Sequence, residues 1–245
     1  MDWQDEGIVL SARAYGEDAL VLHLLTRAHG RHPGVVRGGQ SHKVRSLYQP
    51  GSRLTVTWRA RLAEHIGNYL CEPAGGAGAA LLLDRPGPLA ALASVLALAD
   101  RALPEREPHA AVYEGLLALI EALGEEHWGE ATVMWELALL RDLGFGLDLS
   151  TCAATGRNDQ LAYVSPKSGR AVSLSAGEAW RERLLPLPAF LVGGAGGESA
   201  VHEGLRLTGC FLERDVFGPH HQPLPPARER LYQRFAGLAA RAPTT

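Results

Sequence analysis

Between Ala19 and Ala63 the chain carries Arg27, Arg31, Arg37, Lys43, Arg45, Arg53, Arg59 and Arg61, and not one Asp or Glu. Four histidines, His23, His29, His32 and His42, fall in the same window. A run of cations without counter-charges has two readings: an anion-binding site or a solvated basic face. Arginine suits phosphate, because its planar fork donates two hydrogen bonds at once. With only Lys43 and Lys167 as lysines, part of the preference for arginine reflects composition. The loop from Gly38 to Ser46 holds Lys43 and Arg45 behind two glycines, which let backbone approach a ligand closely. The formal net charge of −3 hides this block. Residues 1–80 carry nine basic side chains against seven acidic, and residues 81–245 carry fifteen against twenty.

The other chemistry-bearing residues point to little. There is no G-x-x-x-x-G-K-[ST] phosphate cradle and no G-x-S-x-G nucleophile elbow. The run Gly193-Gly194-Ala195-Gly196-Gly197 lacks the lysine and strand of a phosphate loop and reads as a flexible turn. His29 and His32 could approach each other, as could His220 and His221, but neither pair has carboxylate or thiolate partners at metal-ligand spacing. A hydrolase would have to use Glu64, His65 or Asp148, and nothing around them nominates a nucleophile. No catalytic residue, cofactor or metal is therefore expected, and an enzyme is disfavoured. Tyr48, Trp58 and Tyr69 are the few aromatics near the basic block, which favours backbone contact over base readout. Trp128, Trp135 and Trp180 lie on expected helices and read as core or interface. Cys71, Cys152 and Cys210 make no disulfide framework, so a reducing cytoplasm is the expected location. The acidic start at Asp2, Asp5 and Glu6 is unlike a secretory signal, and no uninterrupted apolar stretch of about 18 residues occurs to span a membrane.

The elements that would position the basic block read as strands. Apolar runs at Gly7–Arg13, Ala19–Thr26, Arg31–Arg37, Ser52–Arg59 and His65–Glu72 are divided by Gly-containing turns. In the fourth, Leu54, Val56 and Trp58 alternate with Arg53, Thr55, Thr57 and Arg59, the period of a half-buried strand. That parity puts Arg53 and Arg59 on one outward face, with Arg61 continuing it if the strand extends. Five short strands in about 75 residues suit a small barrel of the OB-fold kind. The Pro73–Gly78 run then marks a boundary, giving domains at 1–76 and 77–245. The second part is Ala/Leu-rich. Helical spacing predicts helices over Leu89–Leu103, His109–Leu123, Glu130–Leu143, Ala176–Arg183, Glu198–Asp215 and Pro226–Arg241. A turn-rich insertion at about 148–175 contains one strand-like run, Leu161–Val164. The fold class is α+β: a barrel followed by an all-α domain with an insertion.

Residues 6–41, EGIVLSARAYGEDALVLHLLTRAHGRHPGVVRGGQS, with Tyr48-Gln49-Pro50, resemble the N-terminal domain of the RecO family of recombination mediators. Trp135-Glu136-Leu137 leading into LLRDLGFGLDLSTC, and then LAYVSPKSGRAVS, are similar to that family's C-terminal part. The resemblance runs from about Gly7 to Arg234. It implies an N-terminal OB-fold that binds single- and double-stranded DNA and a helical C-terminal domain. It implies annealing of complementary strands and engagement of the acidic-hydrophobic tail of single-strand binding protein. With RecR, such a protein helps load RecA onto coated single strands, and no chemical step is catalysed. By position, the DNA-contact role falls on Arg37 in the matching Arg-Gly and on Lys43 and Arg45 behind it. Arg53 and Arg59 come from strand parity alone. The alternative is a protein-interaction adaptor whose basic face binds an acidic partner tail. An apolar groove with an arginine rim is the expected tail site, and Arg101, Arg141 and Arg181 are equal candidates for that rim. Many family members carry two C-x-x-C pairs in the insertion. Here only Cys152 remains, Thr155 takes its partner's place and the second pair is missing, so no structural zinc is expected.

Overall fold

A computed structural model describes residues 1–75, 82 and 84–240. Contacts divide it into two compact units, Met1–Gly124 and Glu125–Thr245.

In the first unit, β1 (Asp2–Tyr15), β2 (Ala19–Thr26), β3 (Gly30–Val36), β4 (Arg53–Arg59) and β5 (Asn68–Pro73) close a barrel in the order β1-β2-β3-β5-β4. Every pairing is antiparallel except β3 with β5, where Val35 faces Asn68. This is the expected OB-fold barrel. Closure depends on β1, whose first half pairs with β4 and whose second half pairs with β2. A bulge between Val9 and Ser11 bends the strand between those two tasks. The parity of β4 appears as read: Leu54, Val56 and Trp58 are buried in the barrel with Val9, Leu22, Leu24 and Tyr69. Gly34 is obligatory here, since a Cβ would sit 2.2 Å from the Tyr69 ring.

Two helices, α1 (Pro86–Ala102) and α2 (Ala110–Ala122), belong to the same unit as the barrel. Ser11 and His23 face each other across the β1–β2 ladder. Asp100 of α1 accepts from Ser11 Oγ at 2.9 Å and pairs with His23 Nδ1 at 2.7 Å. Burial pushes the Asp100 carboxyl up, but these hydrogen bonds and the nearby Arg31 outweigh it and hold the group below its usual range. Arg27 reaches Glu114 of α2 at 2.7 Å. Composition shifts at 76 because the last barrel strand ends at Pro73. The compact unit nevertheless extends to Gly124, because the barrel's outer face needs a cover and these helices supply it. Residues 76–78 of the expected boundary lie outside the described residues.

The second unit packs α3 (Trp128–Asp142), α5 (Glu198–Phe211) and α6 (Pro226–Ala239) around a buried ion pair. Arg228 of α6 is 1% exposed and Glu136 of α3 is 0% exposed. Arg228 donates to Glu136 Oε1 at 2.6 Å and Oε2 at 3.0 Å, and to the Leu205 carbonyl of α5 at 2.6 Å. Thr208 of α5 donates to the same carboxylate. The expected helix at 176–183 is instead the single turn α4 (Leu174–Gly177) followed by a 3-10 stretch, Glu178–Arg183. No residue of that stretch is buried, so no packed face stabilises a longer helix. The unit is also not purely helical. β6 (Leu161–Val164), β7 (Ala171–Ser173) and β8 (Leu185–Pro186) form a small sheet in the order β7-β6-β8. Cys152 is fully buried beside it, its Sγ accepting the Ser173 N–H at 3.2 Å. Among the described residues, no three His, Cys, Asp or Glu side chains gather as metal ligands. None of the helices is long and apolar enough to cross a membrane among the described residues.

Candidate nucleic-acid interface

At one end of the barrel a groove of about 1010 Å³ opens between the β1–β2 turn and the loop joining β4 to β5. Residues 15–19, 35, 37, 60–61 and 65–68 line it. The β1–β2 and β4–β5 loops are the pair an OB-fold uses to hold oligonucleotides. Arg37, where β3 leaves the barrel, and Arg61, just past β4, are its arginines. Both are exposed, and neither is held in an ion pair among the described residues. Glu17 and Asp18 on the β1–β2 turn give that wall the opposite sign.

Both walls are tied down. The Gln40 side chain donates to the carbonyls of Gly16 at 3.1 Å and Ala19 at 2.9 Å, and its backbone N–H donates to Asp18 at 3.1 Å. The β1–β2 turn is thus fixed by the residue that follows Arg37-Gly38-Gly39. On the other side, Trp58 Nε1 donates to Ile66 O at 2.9 Å, and the Val35 N–H donates to Gly67 O at 3.0 Å. Gly67 has φ +66°, and any Cβ there would meet the Trp58 ring at 2.3 Å.

The expected contact residues fall into four groups. Arg37 lines the groove. Lys43, on the loop that follows β3, and Arg45, which opens the 3-10 turn Arg45–Tyr48, are exposed beyond the groove lining. Arg59 is exposed at the end of β4, across the ladder from Asn68, which does line the groove. Arg53 points outward as its parity requires, but it pairs with Glu6 at 3.6 Å, keeps only 30% of its side chain exposed and lies outside the groove. Arg61 lies beyond β4, so its place in the groove comes from the loop and not from strand parity.

Of the aromatics near the basic block, Trp58 is buried as its strand parity predicts, and Tyr48 and Tyr69 are buried as well. The exposed ring is Tyr15, 59% accessible on the groove rim, and Ile66 opposite it is 43% accessible. Tyr15 was hidden in the sequence because it punctuates a Tyr-Gly turn. His29 and His32 are put to separate uses. His29 pairs with Asp5 at 2.9 Å and stacks on Trp3. Burial pushes His32 down to about 4, so it stands neutral with Nδ1 donating to Pro33 O at 2.8 Å.

A second groove, of about 440 Å³, lies in the helical unit. Met134, Leu137, Ala138, Leu147, Leu149 and Leu191 supply its apolar part, and Arg141, Asp148 and Ser150 its polar part. Its acid, Asp148, is engaged by Ser150 at 2.6 Å and Arg170 at 3.4 Å.

Residues 1–71 match the family described as Recombination protein O N terminal, and residues 86–223 match Recombination protein O C terminal. A protein of Rhodospirillum centenum named DNA repair protein RecO is 55% identical over 238 residues, covering 96% of this chain and 95% of its own. One of the same name from Rhodospirillum rubrum is 49% identical over 249 residues, covering 98% of each. Another from Methylocella silvestris is 47% identical over 248 residues and covers both chains fully. With both halves matched in order and nearly every residue covered, the chain belongs to the RecO family.

Proposed function

We propose that the protein is a non-enzymatic recombination mediator in DNA repair, whose barrel, residues 1–76, grips the DNA backbone. The observation that carries this reading is the pair of exposed arginines, Arg37 and Arg61, without an ion-pair partner among the described residues, in the groove between the two OB-fold loops. Such a groove takes single strands readily, because sugar-phosphate contacts need no particular sequence. Lys43, Arg45 and Arg59 widen the basic surface and suit duplex DNA, and holding both forms is what annealing of complementary strands requires. In a salt series with a labelled single strand, neutralisation of about four phosphates gives a slope of log affinity against log salt of about −3. Salt-independent binding would contradict the proposal.

The helical unit that begins at Glu125 is proposed to hold a partner peptide. Of Arg101, Arg141 and Arg181, Arg141 is the one that lines a groove together with several apolar side chains, among them Met134, Leu137 and Leu191. An acidic tail ending in apolar residues complements it, which is the chemistry ascribed to single-strand binding protein. Handing coated strands on, with RecR, to RecA is then partner exchange between the two sites. Arg141→Ala is expected to weaken binding of an acidic-apolar tail peptide about tenfold, the scale of one charged hydrogen bond, while DNA affinity stays unchanged. If the peptide is instead lost on substituting Arg37 and Arg61, the adaptor reading, in which the basic face holds the tail, is favoured.

A further inference from the structure

The segment joining α1 to α2 is riveted to the start of β3. Arg31 Nε donates to Leu103 O at 2.8 Å, and the Arg31 carbonyl accepts the Arg106 N–H at 2.8 Å. Arg31 also reaches Glu105 at 3.3 Å. The Glu107 backbone packs so close to Gly30 that a Cβ there would meet its carbonyl oxygen at 1.8 Å. Within this fixed segment Arg106 takes φ +64°, a left-handed conformation that glycine adopts freely and a long side chain adopts only at a cost. Strain of that kind persists where the side chain has a task. Here the side chain donates from Nη2 to the His65 carbonyl at 3.0 Å. His65 is in the β4–β5 loop, the groove wall that carries Arg61.

That wall has few other supports. Ala60 is held at its start by reciprocal bonds with Met1, at 2.8 and 3.0 Å. Ile66 and Gly67 are held at its end by Trp58 and Val35. From Arg61 to His65, the bond from Arg106 is the one hydrogen bond to another element among the described residues. Arg106 Nε is buried and makes no hydrogen bond among the described residues, so the Nη2 contact is the hydrogen bond the guanidinium contributes there.

We infer that Arg106 is a positioning residue for the nucleic-acid groove: a strut through which the α1–α2 connection sets the placement of the wall bearing Arg61. This rests on the reading of the groove as a DNA site. It also makes the α1–α2 connection a control point, since any contact that shifts that segment shifts the wall.

Two substitutions in the full chain separate the strut from bulk stability. Arg106→Gly relieves the left-handed backbone and removes the strut. Its thermal midpoint is expected to equal or exceed that of the unsubstituted protein, while amide hydrogen exchange speeds up across residues 61–65. Affinity for a labelled single strand is expected to fall about fivefold to tenfold, as side chains once preorganised must be ordered on binding. The salt slope stays unchanged, because no phosphate contact is lost. Arg106→Lys keeps one donor within reach of the His65 carbonyl and restores affinity to within about twofold, the accuracy needed to separate it from a full loss. Unchanged exchange together with unchanged affinity in Arg106→Gly overturns the inference. So does a salt slope lowered by about 0.7, which marks a direct phosphate contact. Should the unsubstituted protein bind no DNA at all, the reading of the groove fails, and the exchange measurement made without DNA still decides whether Arg106 holds the loop.

Discussion

Replacing Arg228 by methionine is expected to destabilise the helical unit by about 3–5 kcal/mol. The substitution leaves Glu136, which is 0% exposed, with a carboxylate served by Thr208 alone. Burying an ionised carboxylate without its counter-charge costs far more than losing the pair altogether. The guanidinium also satisfies the Leu205 carbonyl at 2.6 Å, so three helices lose a shared anchor. Glu136→Met is expected to be as damaging, since it strands a cation 1% exposed in the same place. The double substitution, Glu136→Met with Arg228→Met, is expected to recover most of the loss, because apolar side chains of similar volume often replace a buried ion pair at little net cost. Denaturant unfolding of the four proteins forms a double-mutant cycle, with the helical unit's transition read apart from the barrel's. Additive losses, with the double variant worst of all, would show that the pair acts as two independent packing groups. DNA affinity should be unaffected in every variant that remains folded, since the groove belongs to the other unit.

Elements governed by local pattern were legible in the sequence. β2 spans Ala19–Thr26 and β6 spans Leu161–Val164 as the apolar runs indicate, and the Leu54–Val56–Trp58 parity puts those side chains in the barrel interior. What escaped depends on pairings between distant segments. Glu136 and Arg228 are 92 residues apart, and each alone reads as an ordinary charged position on a helix. Arg53 has the right parity for an outward cation, yet the β1–β4 register brings Glu6 beside it and neutralises it. The amphipathic pattern of α1 and α2 shows that each covers something, but not that the barrel is what they cover. Arg61 and Tyr15 reach the groove because two loops converge at one end of the barrel, and no spacing rule describes that convergence. Gln40 does carry a local signal: it is a polar side chain directly after Arg37-Gly38-Gly39, and it bonds the β1–β2 turn.

Substituting Arg37 and Arg61 together by alanine is expected to weaken single-strand binding by about 100-fold at low salt. Two charge-assisted hydrogen bonds to phosphate at roughly 1.5 kcal/mol each give that factor. The salt slope should become shallower by about 1.4, or about 0.7 for each phosphate no longer neutralised. Stability should change by less than about 0.5 kcal/mol, because both side chains are exposed and engage no partner that would be left buried. Arg53→Ala makes the contrast, since it removes the same charge from a site already paired with Glu6 and outside the groove. Its expected effect on affinity is under about threefold, the screened long-range contribution of one charge. Lys43→Ala with Arg45→Ala removes two exposed cations next to the groove but not in its lining. It is expected to affect duplex binding more than single-strand binding, because a duplex is too wide to lie within the groove and must rest on its surroundings. Equal losses from all three variants would mean that the protein attracts DNA through its summed field and has no built site. A loss confined to Arg37 and Arg61, with a matching change in slope, would mark a groove whose two loops hold their cations where successive phosphates pass.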